Sequence, residues 1–177
     1  EITLKVLPKK KSSNTITIHT DDKKLIKDLF EKISSSSSEV SGAVYIPNEP
    51  KDESYDQNKE MVFKFNDLKY KGSFLALRIE GDKIAIDEKI KALTTELELS
   101  KLNTTVLDVH QSTPFWKKIN NLELFKQTKN NLLRVVVPPS KGPKLIQFLG
   151  NKYKYYIDWC GSLYWIEVQS KKNSKVS

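Results

Sequence analysis

Apolar residues fall into short patterned runs, and the period of each run predicts its element. Ile2, Leu4 and Val6 alternate with Thr3 and Lys5, and Ile16 and Ile18 alternate with Thr15, Thr17 and His19. A period of two puts successive side chains on opposite sides of an extended chain, so both runs are predicted strands. Beyond them Leu25, Ile26, Leu29, Phe30 and Ile33 share one helical face, with Thr20 or Asp21 able to cap it. Serines at 34–38 end that helix, and Val40–Ile46 is a strand closed by Pro47. Residues 48–60 show no period and read as a surface loop.

The pattern then repeats. Residues 74–79 read as a strand, Gly81 as a turn, and Ile86, Ile90, Leu93 and Leu97 step by four, three and four along one helical stripe. The stretch 104–109 has the β-branched content of a strand, and Thr113-Pro114 opens a helix containing Phe115, Trp116 and Ile119, with Pro at its first position. A strand at 132–137 stops at Pro138-Pro139. A helix at 144–149 ends at Gly150, and alternating Tyr153, Tyr155 and Ile157 turn at Gly161-Ser162 into Leu163–Val168 as a hairpin. The order β-α-β-β-α-β followed by a further β-α-β-β predicts an α+β fold, ferredoxin-like units extended into one broad, mainly antiparallel sheet. Its helices are expected on one face only, which leaves the other face for function. Residues 1–168 form the domain and 169–177 a polar, Lys/Ser-rich tail.

Composition narrows the class. The chain has 177 residues, 38% apolar and 29% charged, enough for a single good core. No apolar run approaches the roughly 20 residues that cross a bilayer. One cysteine, Cys160, excludes an internal disulfide framework and points to a reducing, cytoplasmic compartment. Glu1 opens inside what reads as a strand, so the chain reads as a piece of a longer polypeptide. The formal charge is +8, but all basic residues except Arg78 and Arg134 are lysines scattered along the sequence. Nucleic-acid surfaces also use arginine forks and gather charge into a stripe, so no nucleic-acid partner is expected.

Familiar chemical motifs are missing. His19 and His110 stand alone without metal-ligand spacing, so no metal is expected, and the chain has no P-loop, G-x-S-x-G or G-x-G-x-x-G. Lys71-Gly72-Ser73-Phe74 begins like an RNA-recognition signature but lacks its stacking aromatics. Cys160 has no base beside it and reads as a small packed residue. What stands out is an arginine inside each of two apolar strands. Alternation sends Arg78, with Ala76 and Glu80, away from Leu75, Leu77 and Ile79; it sends Arg134 away from Leu133, Val135 and Val137. Two readings stay open: an internal ion pair, as Arg78 with Glu80, or a bidentate clamp for a carboxylate. The aromatic group Tyr153, Tyr155, Tyr156, Trp159, Tyr164 and Trp165 is either a core edge or a platform for a flat cofactor.

Several strings occur in a suggestive order: residues 1–8 (EITLKVLP), residues 39–43 (EVSGA), residues 77–81 (LRIEG), Phe115-Trp116, Leu133-Arg134 with Val137-Pro138, and Asp158-Trp159-Cys160-Gly161. Together they resemble the C-terminal, cap half of the FAD-binding E subunits of bacterial glycolate oxidases, which are FAD-linked oxidases of the vanillyl-alcohol-oxidase type. The resemblance implies a cap domain of an oxidoreductase that converts glycolate or a similar 2-hydroxy acid to the 2-oxo acid. It implies FAD held mainly by an N-terminal domain of the same polypeptide, and further glycolate oxidase subunits, including an iron–sulfur subunit, through which membrane association arises. By the same resemblance Arg78 and Arg134 face substrate, Ser41, Gly42, Trp116, Asp158 and Trp159 face the cofactor, and no catalytic residue is assigned. The family pattern has Trp where this chain has Leu133 and usually Ser where it has Val136, and the family's Asp-Trp-Gly-Gly run is broken here by Cys160 and Ser162. With no nucleotide-binding half, the chain alone is expected not to turn over substrate. The competing expectation is a non-enzymatic, basic ferredoxin-like module that binds protein or RNA.

Overall fold

The computed structural model describes residues 12–48, 63–65, 68–70, 72–150 and 152–169. The strand expected at 2–6, most of the loop at 48–60, and nearly all of the tail lie outside them. Strand β1 (Ser12–His19) runs into α1 (Lys23–Ser35), whose first turn is capped by Asp22, not by Thr20 or Asp21. The Asp22 carboxylate accepts the Lys24 and Leu25 amides at 2.8 and 3.1 Å, satisfying donors that the helix leaves unpaired. Strand β2 (Val40–Ile46), a short hairpin of β3 (Phe63–Phe65) and β4 (Leu68–Tyr70), and β5 (Phe74–Gly81) follow. Helix α2 (Lys83–Glu96) leads to β6 (Thr104–Leu107), α3 (Val109–Asn120), β7 (Asn131–Val136) and α4 (Gly142–Leu149). A closing hairpin joins β8 (Tyr155–Asp158) to β9 (Leu163–Val168).

Seven strands form one antiparallel sheet in the order β6-β1-β5-β2-β8-β9-β7. The first four reproduce the ferredoxin-like arrangement, in which β5 inserts between β1 and β2. The remaining three repeat the device, with β9 inserted between β7 and β8. The α+β class and the broad sheet of ferredoxin-like units are therefore as the sequence predicts. Helix α1 buries Ile26, Leu29, Phe30 and Ile33 against Leu75, Leu77, Ile79, Tyr45 and Tyr155. Each such side chain contributes about 1.5–3 kcal/mol on leaving water. Helices α2 and α4 add Ile86, Leu93, Ile146 and Leu149 to the same core.

The expectation of helices on one face needs correction. Phe115, Trp116 and Ile119 of α3 form a second core with Val44, Ile46, Phe74, Ala76 and Tyr156, the residues of the opposite strand parity. The reason is topological: β6 and β7 are the two edges of the sheet, and three helices already fill one face. The connection between those edges crosses the free face instead. Its start is also corrected. The helix begins at Val109, five residues before Pro114, under a capping box in which Asp108 and Gln111 bond reciprocally.

Candidate functional site

Both arginines project to the face that carries α3. At Arg78 the geometry begins with a break in register, because β2 pairs Val40 with Ile79 and Gly42 with Arg78, leaving Ser41 as a bulge. A bulge re-aims the side chains beside it. Here it brings both Ser41 oxygens to the guanidinium: Arg78 Nε donates to Ser41 Oγ at 3.0 Å, and an Nη donates to the Ser41 carbonyl at 2.9 Å. Glu80 lies at 3.8 Å, so the ion pair anticipated from sequence exists but is loose. The flat side of the cation stacks on Trp116, with Cζ 4.9 Å from the ring centroid.

Trp116 and Gly42 support this arrangement from inside. Trp116 is 5% exposed, and its indole N–H donates to Thr15 Oγ1 at 2.8 Å within a buried group that includes Ser112. A Cβ on Gly42 would stand 3.2 Å from the Trp116 ring and 3.4 Å from Arg78 Nε. Glycine at this place lets the indole lie flat against the strand. Trp116 has no open surface to offer a ligand and Gly42 is half-buried; together they fix Arg78. Thr15 and Ser112 complete the support and escaped the sequence reading, since residues 97 apart that meet across a sheet leave no local signal.

The second arginine is held differently. Arg134 is exposed on the edge strand β7, with Cζ 5.3 Å from the Trp159 ring and 5.9 Å from that of Trp165. Among the described residues no carboxylate or carbonyl is bonded to its guanidinium. Trp159 is 56% exposed and Val136 beside β9 is 55% exposed. The expected aromatic platform is thus divided by strand parity: Tyr155 and Tyr164 enter the main core, while Tyr156 and Trp165 face α3.

Asp158 stands between the two groups. Its carboxylate accepts the Trp159 amide at 2.8 Å. Burial pushes its pKa up, and that amide and the positive charge of Arg78 pull part of the way back. The next residues, Trp159, Cys160 and Gly161, all have positive φ, at 50°, 50° and 92°. Burial raises the Cys160 thiol, and the nearby Asp158 charge adds to it. A hydrogen bond with Ser34 works the other way but does not outweigh them, so the surroundings disfavour the thiolate and agree with a packing role. Among the described residues no three His, Cys, Asp or Glu side chains converge as a metal site, and no helix is long and apolar enough to cross a membrane. No protein-family model matches the chain, and no curated protein matches it.

Proposed function

We propose that this chain is the substrate-side cap of a flavin-linked oxidase acting on glycolate or a similar small 2-hydroxy acid. One observation carries the reading: Arg134 is an exposed guanidinium stacked beside two indoles, with its in-plane N–H edge committed to no described acceptor. Such an edge matches the two oxygens of a carboxylate, and the stacked rings pre-order it. Arg78 is the contrast. Its Nε and one Nη are engaged by Ser41, so it acts as a positioning residue for the bulge and Trp116.

The residues fit a flat, apolar-edged ring through Trp159 and Val136, whose surfaces are open, while Ser41, Gly42, Trp116 and Asp158 hold the frame behind them. FAD, held mainly by a domain outside these residues, would supply the two-electron acceptor for oxidation of the hydroxyl carbon. The chain itself would bind the carboxylate at Arg134 and exclude water with Trp159. An iron–sulfur subunit as the onward electron carrier belongs to the same reading.

The test is to express the whole reading frame that contains this chain and to record its absorbance. A retained flavin and glycolate-dependent bleaching are expected. Arg134→Lys should raise the apparent KM for glycolate roughly tenfold or more, as a fork is exchanged for a point charge. Arg78→Lys should change KM less and lower stability. A colourless protein, or an Arg134→Lys variant with unaltered KM, overturns the proposal.

A further inference from the structure

The lysines are scattered along the sequence, but the acidic residues are not. Residues 126–157 hold seven basic side chains and no aspartate or glutamate, where the chain's average of 22 acids in 177 residues would place about four. That stretch contains β7 and α4. Helix α4 buries Gly142, Ile146 and Leu149 against the core, and steps of three and four residues bring Lys141, Lys144 and Phe148 together on its outer stripe. Phe148 is 70% exposed, and its ring stacks on Tyr153 with centroids 6.4 Å apart and planes 19° from parallel. Lys152 follows in a turn closed by its own amide on the Leu149 carbonyl at 3.1 Å. Among the described residues, Lys141, Lys144 and Lys152 make no ion pair.

A single exposed apolar side chain is ordinary on a protein surface; the company it keeps distinguishes this one. Ile84 of α2 is also exposed, but Asp87 and Glu88 share its stripe at three and four residues on, and a negative surface would repel them. Phe148 has only lysines along its stripe. A lysine can lay its methylene stem on an apolar layer while its ammonium stays in water. A ring flanked by such side chains therefore suits a partner that is negative outside and apolar just beneath. Nucleic acid fits less well, because bases stack on open ring faces, Tyr153 already takes one face of Phe148, and α4 has no arginine fork.

We propose that the outer stripe of α4 seats this chain on an anionic lipid surface, with the Phe148 ring in the headgroup layer and the ammoniums of Lys141, Lys144 and Lys152 against lipid phosphates and carboxylates. The contact is peripheral and reversible. Each lysine beside such a leaflet is worth about fivefold in affinity and the ring about tenfold, which together give an association constant on the order of 10³ M⁻¹ in accessible lipid. Neither flavin nor Arg134 takes part, so this surface stands apart from the function proposed above. The test is cosedimentation of the whole chain, at about 0.1 M salt, with vesicles of phosphatidylcholine alone or with about 40% phosphatidylserine. Half of the protein should pellet near roughly 1 mM accessible lipid of the anionic mixture, and little with the neutral lipid. Phe148→Ser should weaken binding about tenfold and Phe148→Trp should preserve it, since indoles settle at such interfaces. The position is exposed, so both variants should keep the urea midpoint. Changing Lys141, Lys144 and Lys152 together to Gln should cost roughly a hundredfold. The same change at Lys83, Lys91 and Lys117 on α2 and α3 leaves an identical net charge and should cost less than about threefold. Equal binding to both vesicles, indifference to Phe148→Ser, or equal losses in the two lysine triples would each overturn the assignment. Tighter, Phe148-dependent binding to poly(U) than to the vesicles would also overturn it, in favour of nucleic acid.

Discussion

Cys160 has φ 50° and ψ 43°, a left-handed conformation that non-glycine residues enter at a cost of about 1–2 kcal/mol. Glycine normally weakens a chain relative to alanine, by roughly 0.5–1 kcal/mol in regular elements. Here the order should invert. Cys160→Gly should unfold at higher urea than Cys160→Ala, by about 1 kcal/mol, since both lose the sulfur and only alanine keeps the strained Cβ. Asp158 yields a prediction of a different kind. Its folded pKa lies above its unfolded one, so the folded state holds the proton more tightly, and stability falls as pH rises through the interval between the two. Asp158→Asn keeps an oxygen for the Trp159 amide and removes that cost. Urea titrations should find it more stable than the unaltered protein at neutral pH. The gain should vanish once the pH drops below the ordinary carboxylate range, where both side chains are neutral.

At the scale of elements, α3 decides what the second face of the sheet can do. Its twelve residues span roughly 18 Å on the way from one edge strand toward the other. It is fastened by polar contacts as well as by Phe115 and Ile119: Trp116 donates to Thr15, Thr15 pairs with Ser112 at 2.7 Å, and the Tyr156 hydroxyl donates to the Ile119 carbonyl at 3.2 Å. Trp116→Phe removes the first of these and part of the stack under Arg78. A loss of about 1–3 kcal/mol is expected in urea unfolding. Combined with Thr15→Val the loss should be clearly less than additive, because the two changes delete one shared bond. Additive losses would mean that the indole N–H does not stabilise the fold through Thr15.

For the molecule as a whole, the sequence was most informative where one period governed a run. Leu25 to Ile33, the alternation through Arg78, and the Tyr155–Val168 hairpin all carry a face in their spacing, and those faces reappear in the two cores. Periodicity cannot say on which side of a sheet a helix lies, and α3 is amphipathic whichever face it meets. Its start was hidden because Pro114, a common first-turn residue, sits here in the second turn, while the true signal was the pair Asp108 and Gln111. The parity of the two arginines was legible. Their inequality was not, since it depends on a bulge at Ser41 and on rings that arrive from α3, β9 and the final turn.

That final turn has a consequence for how the protein can change over generations. Trp159, Cys160 and Gly161 all hold positive φ, a region that side chains enter only at a cost. Mutational drift at this spot is therefore confined to residues that tolerate the inverted twist, with glycine, asparagine and aspartate favoured and β-branched types shut out. A valine or isoleucine arriving at any of the three would strain the turn and disturb the indole on one side and the Phe30 ring on the other.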